Sequence, residues 1–239
     1  MSAADHGVAR ICRAGETIEL RADRTARLAE HDVLLAADLH IGKAVAFAAS
    51  GLAVPTGSLE QDLERLASAA RETAARRLLI LGDLLHHRRG TVDAVVEQVR
   101  RWRASVAAEV IVVPGNHDHD LDELAVRWNM MVEQREVTVG PFRLRHRAGG
   151  APAGGGHGNT GGASPATGAG AGFEIIGHMH PVVRLRDGGD DLRLRCFIEE
   201  DGRLTLPAFS SFAGGAEVAL GSPRRIWAIA GDRVLDLSG

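Results

Sequence analysis

Four short clusters of acidic, amide and imidazole side chains each stand immediately after an apolar run, and this order constrains the fold more than any other feature. They are LLAADLH, with Asp38 and His40; LLILGDLLHH, with Asp83; VIVVPGNHDHD, with Asn116, His117 and Asp118; and EIIGHMHPVV, with His178 and His180. Short apolar runs bounded by glycine or polar clusters read as buried strands. Amphipathic stretches separate them, so strand and helix alternate through the first half, while the second half is mostly strand. The expected fold is α/β, with two β-sheets packed face to face and helices outside. Expected strands are Val33–Ala37, Leu78–Leu81, Val110–Val113, Phe142–His146, Phe173–Ile176, Val182–Leu185, Leu192–Ile198 and Ile226–Ile229. Expected helices are Leu59–Arg76 and Val92–Ala107, with Ser58 and Thr91 as N-caps.

The length of 239 residues suits a single domain with a well-buried core. Hydrophobic and charged fractions of 45% and 25% are globular averages, which sets disorder aside for most of the chain. Gly149–Gly172 departs from this: 11 glycines in 24 residues leave almost nothing to bury, and it reads as a flexible surface loop. Its GxGxxG match, Gly156 to Gly161, has no strand before it and no helix after it, so it is not a dinucleotide fingerprint. Cys12 and Cys196 are too far apart in sequence for a ligand or redox pair, which excludes a disulfide framework. With no apolar leader and no membrane-length run, the expected compartment is the cytoplasm. The formal charge of −3 gives no global basic surface, and the lack of tyrosine leaves few rings for base stacking. Of 28 lysines and arginines only Lys43 is lysine, and it follows the first cluster closely.

The clusters have the chemistry of metal ligands. Residues two apart on an extended chain share a face, so Asp38 with His40, and His178 with His180, can each address one ion. Carboxylate, amide oxygen and imidazole without thiolate suit Mn²⁺, Fe, Zn²⁺ or Ni²⁺ better than Ca²⁺ or a structural zinc site. Gly82, Gly115 and Gly177 punctuate strand ends, where a missing side chain permits close approach.

The order D-x-H, G-D, G-N-H-D, H, G-H-x-H resembles the calcineurin-like metallophosphoesterase superfamily, over roughly Val33 to Val183. That resemblance implies a four-layer α/β-β/α sandwich with two metals. Asp38, His40 and His180 would bind the first, Asn116, His146 and His178 the second, and Asp83 both. His117 would be the catalytic histidine that binds no metal, oriented by Asp118. The single histidine before the last motif has two candidates. His146 ends an alternating segment in which Phe142, Leu144 and His146 share a face; His157 lies in the glycine-rich loop, where a ligand would lack rigid support. Two such metals are expected to hold a bridging water as hydroxide and clamp the phosphate oxygens. His117 as imidazolium would then stabilise charge or protonate the leaving alkoxide.

ADLHIGKA, GLAVPTG, LLILGDLLH and LPAFSSFAGG are closely similar to the bacterial ligase-associated DNA damage response endonuclease family. This implies a manganese-dependent phosphodiesterase acting on DNA, single-stranded or damaged, and linked to a repair ligase and helicase. His86, in GDLLH, matches the GD-x-x-H of repair nucleases and would touch the scissile phosphate or leaving group; a solvated histidine at a helix start is the alternative. Lys43, Arg88 and Arg89 stand beside ligand motifs and are candidates for substrate phosphates. Arg143, Arg145 and Arg147, with Arg184 and Arg186, form rows that suit either a phosphate track or a solvated face. PAFSSFAGG is expected as a core strand and tight turn, with Ser210 or Ser211 as outside candidates for the site. A nucleotide phosphatase or pyrophosphatase, and a non-catalytic scaffold, remain the other readings; the full ligand set with His117 argues against the scaffold.

Overall fold

A computed structural model of the chain describes residues 7–54, 57–119, 121–148, 172–187 and 189–238. The first sheet runs in the order β1 (Val8–Arg13), β2 (Glu16–Arg21), β3 (Ala26–Leu28), β4 (Val33–Ala37), β5 (Arg77–Leu81), β6 (Glu109–Val113), β7 (Met131–Val132). Strands β1 to β4 pair antiparallel and β4 to β7 parallel. Helices α1 (Lys43–Ala49) and α2 (Ser58–Thr73) connect β4 to β5, α3 (Asp93–Ser105) connects β5 to β6, and α4 (Leu121–Arg127) connects β6 to β7. The second sheet contains β8 (Glu136–Val139), β9 (Phe142–Arg145), β10 (Phe173–Ile176), β11 (Pro181–Asp187), β12 (Asp190–Glu200), β13 (Arg203–Thr205), β14 (Ala216–Glu217), β15 (Arg225–Ala230) and β16 (Arg233–Asp236). Its order is β14-β11-β12-β13-β10-β9-β8, with β15 joining β12 to β16. Strand β10 runs parallel to both β9 and β13, so both sheets are mixed.

Burial explains the strand sequences. VLLAA in β4 is buried at every position because helices cover one face and the second sheet the other. Leu34, Ala36, Leu78, Ile80, Val110 and Val112 meet the helices through Leu66, Val99 and Trp102, and Trp128 just after α4 joins them. Val33, Leu35, Leu79, Leu81, Ile111 and Val113 point the other way, into Phe142, Leu144, Ile175, Phe197 and Trp227 of the second sheet. Strand β9 alternates buried and half-buried residues, as one covered face requires.

The two packed sheets appear as the sequence leads one to expect. All four described helices lie on the first sheet, whereas the outer face of the second carries a small cluster around Val183, Cys196 and Ile226. The second helical layer of the four-layer sandwich is thus not seen among the described residues. Neither N-cap is as expected. Gly57, at φ 78°, caps α2 while Ser58 is already helical, and Val92 rather than Thr91 precedes α3. Helix α2 also ends earlier, at Thr73, because Ala74 turns left-handed at φ 47°. Strands β1 to β3 and the short helices α1 and α4 were not anticipated, being too short or too charged to show a periodic signal. Of PAFSSFAGG, expected as a core strand and tight turn, Pro207–Ser210 is a buried run outside the strands, tied to the end of β4 by Phe209 N–H to Ala37 O at 2.7 Å, and a turn follows it at Ser211 and Phe212. His157 and residues 149–171 of the glycine-rich segment lie outside the described residues.

Candidate metal centre

Strand register gathers the ligands. Parallel pairing sets Ala37, Leu81 and Val113 side by side, so the chain leaving β4, β5 and β6 carries Asp38, Asp83 and Asn116 to one edge. In the second sheet Arg145 pairs with Ile176, so His146 emerges beside the turn that holds His178 and His180. Gly177 N–H donates to the His146 carbonyl at 3.2 Å and ties these two exits together. The fold therefore brings all seven expected ligands to one place.

Their backbone is strained. Asp38, His40, Asp83, His178 and His180 have φ of 56°, 47°, 44°, 73° and 48°, five of the eleven left-handed non-glycine residues among those described. Each such residue costs on the order of 1–3 kcal/mol and persists only where the surroundings dictate it. The glycines make room. A Cβ on Gly82 would lie 1.8 Å from His146 Nδ1, one on Gly115 2.1 Å from Asp83 Oδ1, and one on Gly177 2.9 Å from Asp38 Oδ2. Gly82→Ala is accordingly expected to displace His146 and lower bound metal from two ions to one or none per chain, measured by atomic emission on folded protein. Full metal content in that variant would contradict this packing argument.

Two sets of ligand atoms result. In the first, His40 Nε2 lies 3.2 Å from His180 Nε2, which lies 3.4 Å from Asp38 Oδ1. In the second, His146 Nε2 lies 3.1 Å from His178 Nδ1, 3.5 Å from Asp83 Oδ1 and 3.2 Å from Asn116 Oδ1. Ligands bound at about 2.1 Å to one tetrahedral or octahedral ion stand about 3.0–3.4 Å apart, close to these separations. His146 Nδ1 faces the Leu81 carbonyl at 3.3 Å. A proton there leaves Nε2 with its lone pair toward the second set. Of the two candidate histidines, His146 stands with the second set, and His157 lies outside the described residues.

The electrostatics point the same way. Asp38 is fully buried; its Oδ2 accepts the His178 N–H at 2.8 Å, but its Oδ1 has no hydrogen-bond partner. A buried carboxylate oxygen without a donor is costly unless a cation satisfies it. Burial, reinforced by His180 and Lys43, pushes the His40 imidazole down to about 2, and burial with His146 and Arg147 pushes His178 down to about 4. Both rings therefore offer lone pairs, as metal ligation requires. The two sets fit divalent cations.

His117 stands beside them without joining either set. Its Nε2 is 3.9 Å from Asp83 Oδ2, its Nδ1 faces the His86 carbonyl at 3.0 Å, and its side chain is 40% exposed. Asp118 does not orient this ring, contrary to the sequence-based expectation. Its carboxylate accepts the backbone N–H groups of Gly115, Leu84 and Leu85 at 2.8, 3.2 and 2.8 Å, binding the GNHD loop to the GDLLH loop. Its carboxylate oxygens are taken up by amides that would otherwise be orphaned, so the His86 carbonyl holds His117 instead. His86 stacks on His117 with ring centroids 5.5 Å apart. Burial, with Lys43 and His117, lowers His86 to about 4, so it is uncharged at neutral pH.

The sequence model of the calcineurin-like phosphoesterase family matches residues 31–162, more than half of the chain. The chain belongs to that family. Among solved structures, nuclease MPE of Pseudomonas putida is similar with a TM-score of 0.74 and 29% identity, over 96% of this chain and 100% of that one. An archaeal phosphodiesterase at 12% identity, with a TM-score of 0.41 over 86% of this chain and 99% of that one, is too distant to argue from. No curated protein sequence matches. With this family and two fitting ligand sets, the protein is a metal-dependent phosphoesterase.

Around the centre of this phosphoesterase, the expected substrate residues separate. Lys43 opens α1, with Nζ 5.7 Å from the Phe47 ring centroid, half-buried near Arg195. The backbones of Gly42 and Gly90 cross so closely that a Cβ on Gly42 would lie 2.6 Å from Gly90 O. This contact holds the start of α1 against the 3-10 turn Arg88–Gly90. Arg88 and Arg89 are exposed, and Arg88 lines a cleft of about 270 Å³ with His117 and Arg127. The arginine rows are mostly ion-paired: Arg143 and Arg145 with Glu136, Arg184 with Asp191 and, at 3.5 Å, Arg186 with Asp191. They form a salt-bridged face rather than a free phosphate track. Ser210 N–H donates to Asp38 O at 3.3 Å through the backbone, and Ser211 is engaged with Asp62. The sequence did not point to Phe47 and Phe212, whose rings pack edge to face at 5.6 Å beside His86. No described helix is long and apolar enough to cross a membrane.

Proposed function

We propose that this phosphoesterase is a two-metal phosphodiesterase that cleaves DNA, with manganese as its working metal. The observation that carries this reading is the pair of adjoining ligand sets beside His117, in a chain that follows a bacterial nuclease along 96% of its length. Asp38, His40 and His180 would hold one cation; Asn116, His146 and His178 the other; and Asp83 both. A bound cation pair supplies a water of lowered pKa as nucleophile and positive charge for the phosphate oxygens. The chain's own part is orientation and proton handling. His117, its Nδ1 fixed by the His86 carbonyl, presents Nε2 to the leaving oxygen and gives it a proton. His86, uncharged, donates a hydrogen bond to the same region without serving as an acid. The rings of His117, His86, Phe47 and Phe212 form a continuous path leading away from the centre, with Lys43 alongside. Such a shelf suits a nucleotide with an unpaired base and supports a single-stranded or distorted DNA substrate. Action together with a repair ligase and helicase belongs to the same proposal.

The test is to load metal-free protein with Mn²⁺ and compare bis-p-nitrophenyl phosphate with p-nitrophenyl phosphate, then supply circular single-stranded DNA. Diester cleavage at least about tenfold faster than monoester cleavage, together with DNA incision, is the expected result. Monoester preference with intact DNA would replace the nuclease with a small-molecule phosphatase. Two bound metals with no activity on any of them would indicate a scaffold.

A further inference from the structure

Arg147 differs from the arginines that precede it. Arg143 and Arg145 are tied to Glu136, and Arg145 also approaches Glu174 at 3.5 Å. Arg147, half-buried just after β9, has no carboxylate within ion-pair distance among the described residues. Its Nη2 donates to Asn116 Oδ1 at 2.8 Å, and its Nε is buried with no hydrogen-bond partner. Asn116 Oδ1 is the same atom that lies 3.2 Å from His146 Nε2 in the second ligand set. An amide oxygen has two lone pairs, so the guanidinium contact and ligation are compatible. The charge arrangement is less so. A guanidinium without an acid, beside ligands that fit a dication, is repelled by that cation unless an anion lies between them.

We propose that Arg147 completes a phosphate subsite, its guanidinium binding a non-bridging oxygen of the substrate phosphate at the second ligand set. The fork of Arg147 still has donors to offer, and guanidinium matches a phosphate edge in both charge and shape. The ligand class is a phosphoryl group, whatever the rest of the substrate. The inference rests on the phosphoesterase centre and is independent of the DNA reading. It also explains why, among the described residues, this arginine has no acidic partner while Arg143 and Arg145 do: a carboxylate there would compete with the substrate.

The experiment is calorimetric titration of inorganic phosphate into full-length protein loaded with Mn²⁺, with a separate Mn²⁺ titration for each variant. Arg147→Ala is expected to keep two Mn²⁺ at near-parental affinity and to weaken phosphate binding about tenfold or more. Arg147→Lys should recover part of the loss, since it restores charge without the fork. Arg143→Ala, a control on the strand that leads to Arg147, should leave the phosphate Kd unchanged. An unchanged phosphate Kd in Arg147→Ala would overturn the proposal, as would a loaded parent that binds no phosphate. Loss of Mn²⁺ from Arg147→Ala, with phosphate affinity per loaded centre preserved, would instead make Arg147 a support for Asn116. Failure of the parent to bind Mn²⁺ at all would show before any substitution and would count against the metal centre itself.

Discussion

Asp83→Ala is expected to lose both metals and to lower phosphoester hydrolysis by more than about a thousandfold, beyond the effect of removing one electrostatic contact. Asp83 is 2% exposed, and its Oδ1 accepts the His117 backbone N–H at 3.0 Å while standing 3.5 Å from His146 Nε2. Its Oδ2 lies 3.9 Å from His117 Nε2. If the carboxylate joins the two sets, no neighbour can take its place, because Gly82 and Gly115 bring only backbone to it. Asp83→Asn separates ligation from packing: it keeps the shape and one acceptor oxygen but removes the charge. Metal-free Asp83→Asn should melt no lower than the metal-free parent, since a buried charge has been relieved. Metal content by atomic emission and thermal melting would check both points. An Asp83→Ala protein that retains two tightly bound ions would end the bridging assignment.

His117→Ala should have the opposite profile, with two metals bound and kcat lower by about 10²–10⁴-fold. The imidazole belongs to neither ligand set, and the backbone N–H that holds Asp83 remains in the variant. If His117 protonates the leaving oxygen, the loss should shrink for esters with acidic leaving groups, p-nitrophenol above all, and be greatest for alkoxide leaving groups such as those of DNA. Equal losses on both ester types would confine His117 to charge stabilisation. Loss of metal would make it a ligand. Asp118→Asn should also reduce activity, but through disorder of both loops, because it would offer fewer acceptor sites to three backbone N–H groups.

The second ligand set shows how local pattern and tertiary packing divided the information. His146 was legible because Phe142 and Leu144 share its face in an alternating strand, and side-chain direction in a strand is a local property. Helix caps were less legible: Ser58 has the right chemistry, but the left-handed Gly57 had already made the turn.

By itself the sequence determined the candidate ligand types, their order and the α/β class, because apolar runs and the residues that end them are consequences of local chemistry. It also marked Gly82, Gly115 and Gly177 as positions of close approach. Only the tertiary structure decided what each group faces. Asp118 serves backbone amides rather than the His117 ring, and Arg143 and Arg145 are paired with Glu136 while Arg147 reaches Asn116. Phe47 and Phe212, 165 positions apart, meet beside His86. The left-handed backbone at five ligands is likewise invisible in the residues, because those conformations are imposed by the packing of two sheets. Partners in an ion pair or a ring contact are chosen by register and packing across the sandwich, and those distances are not encoded in any local stretch of chain.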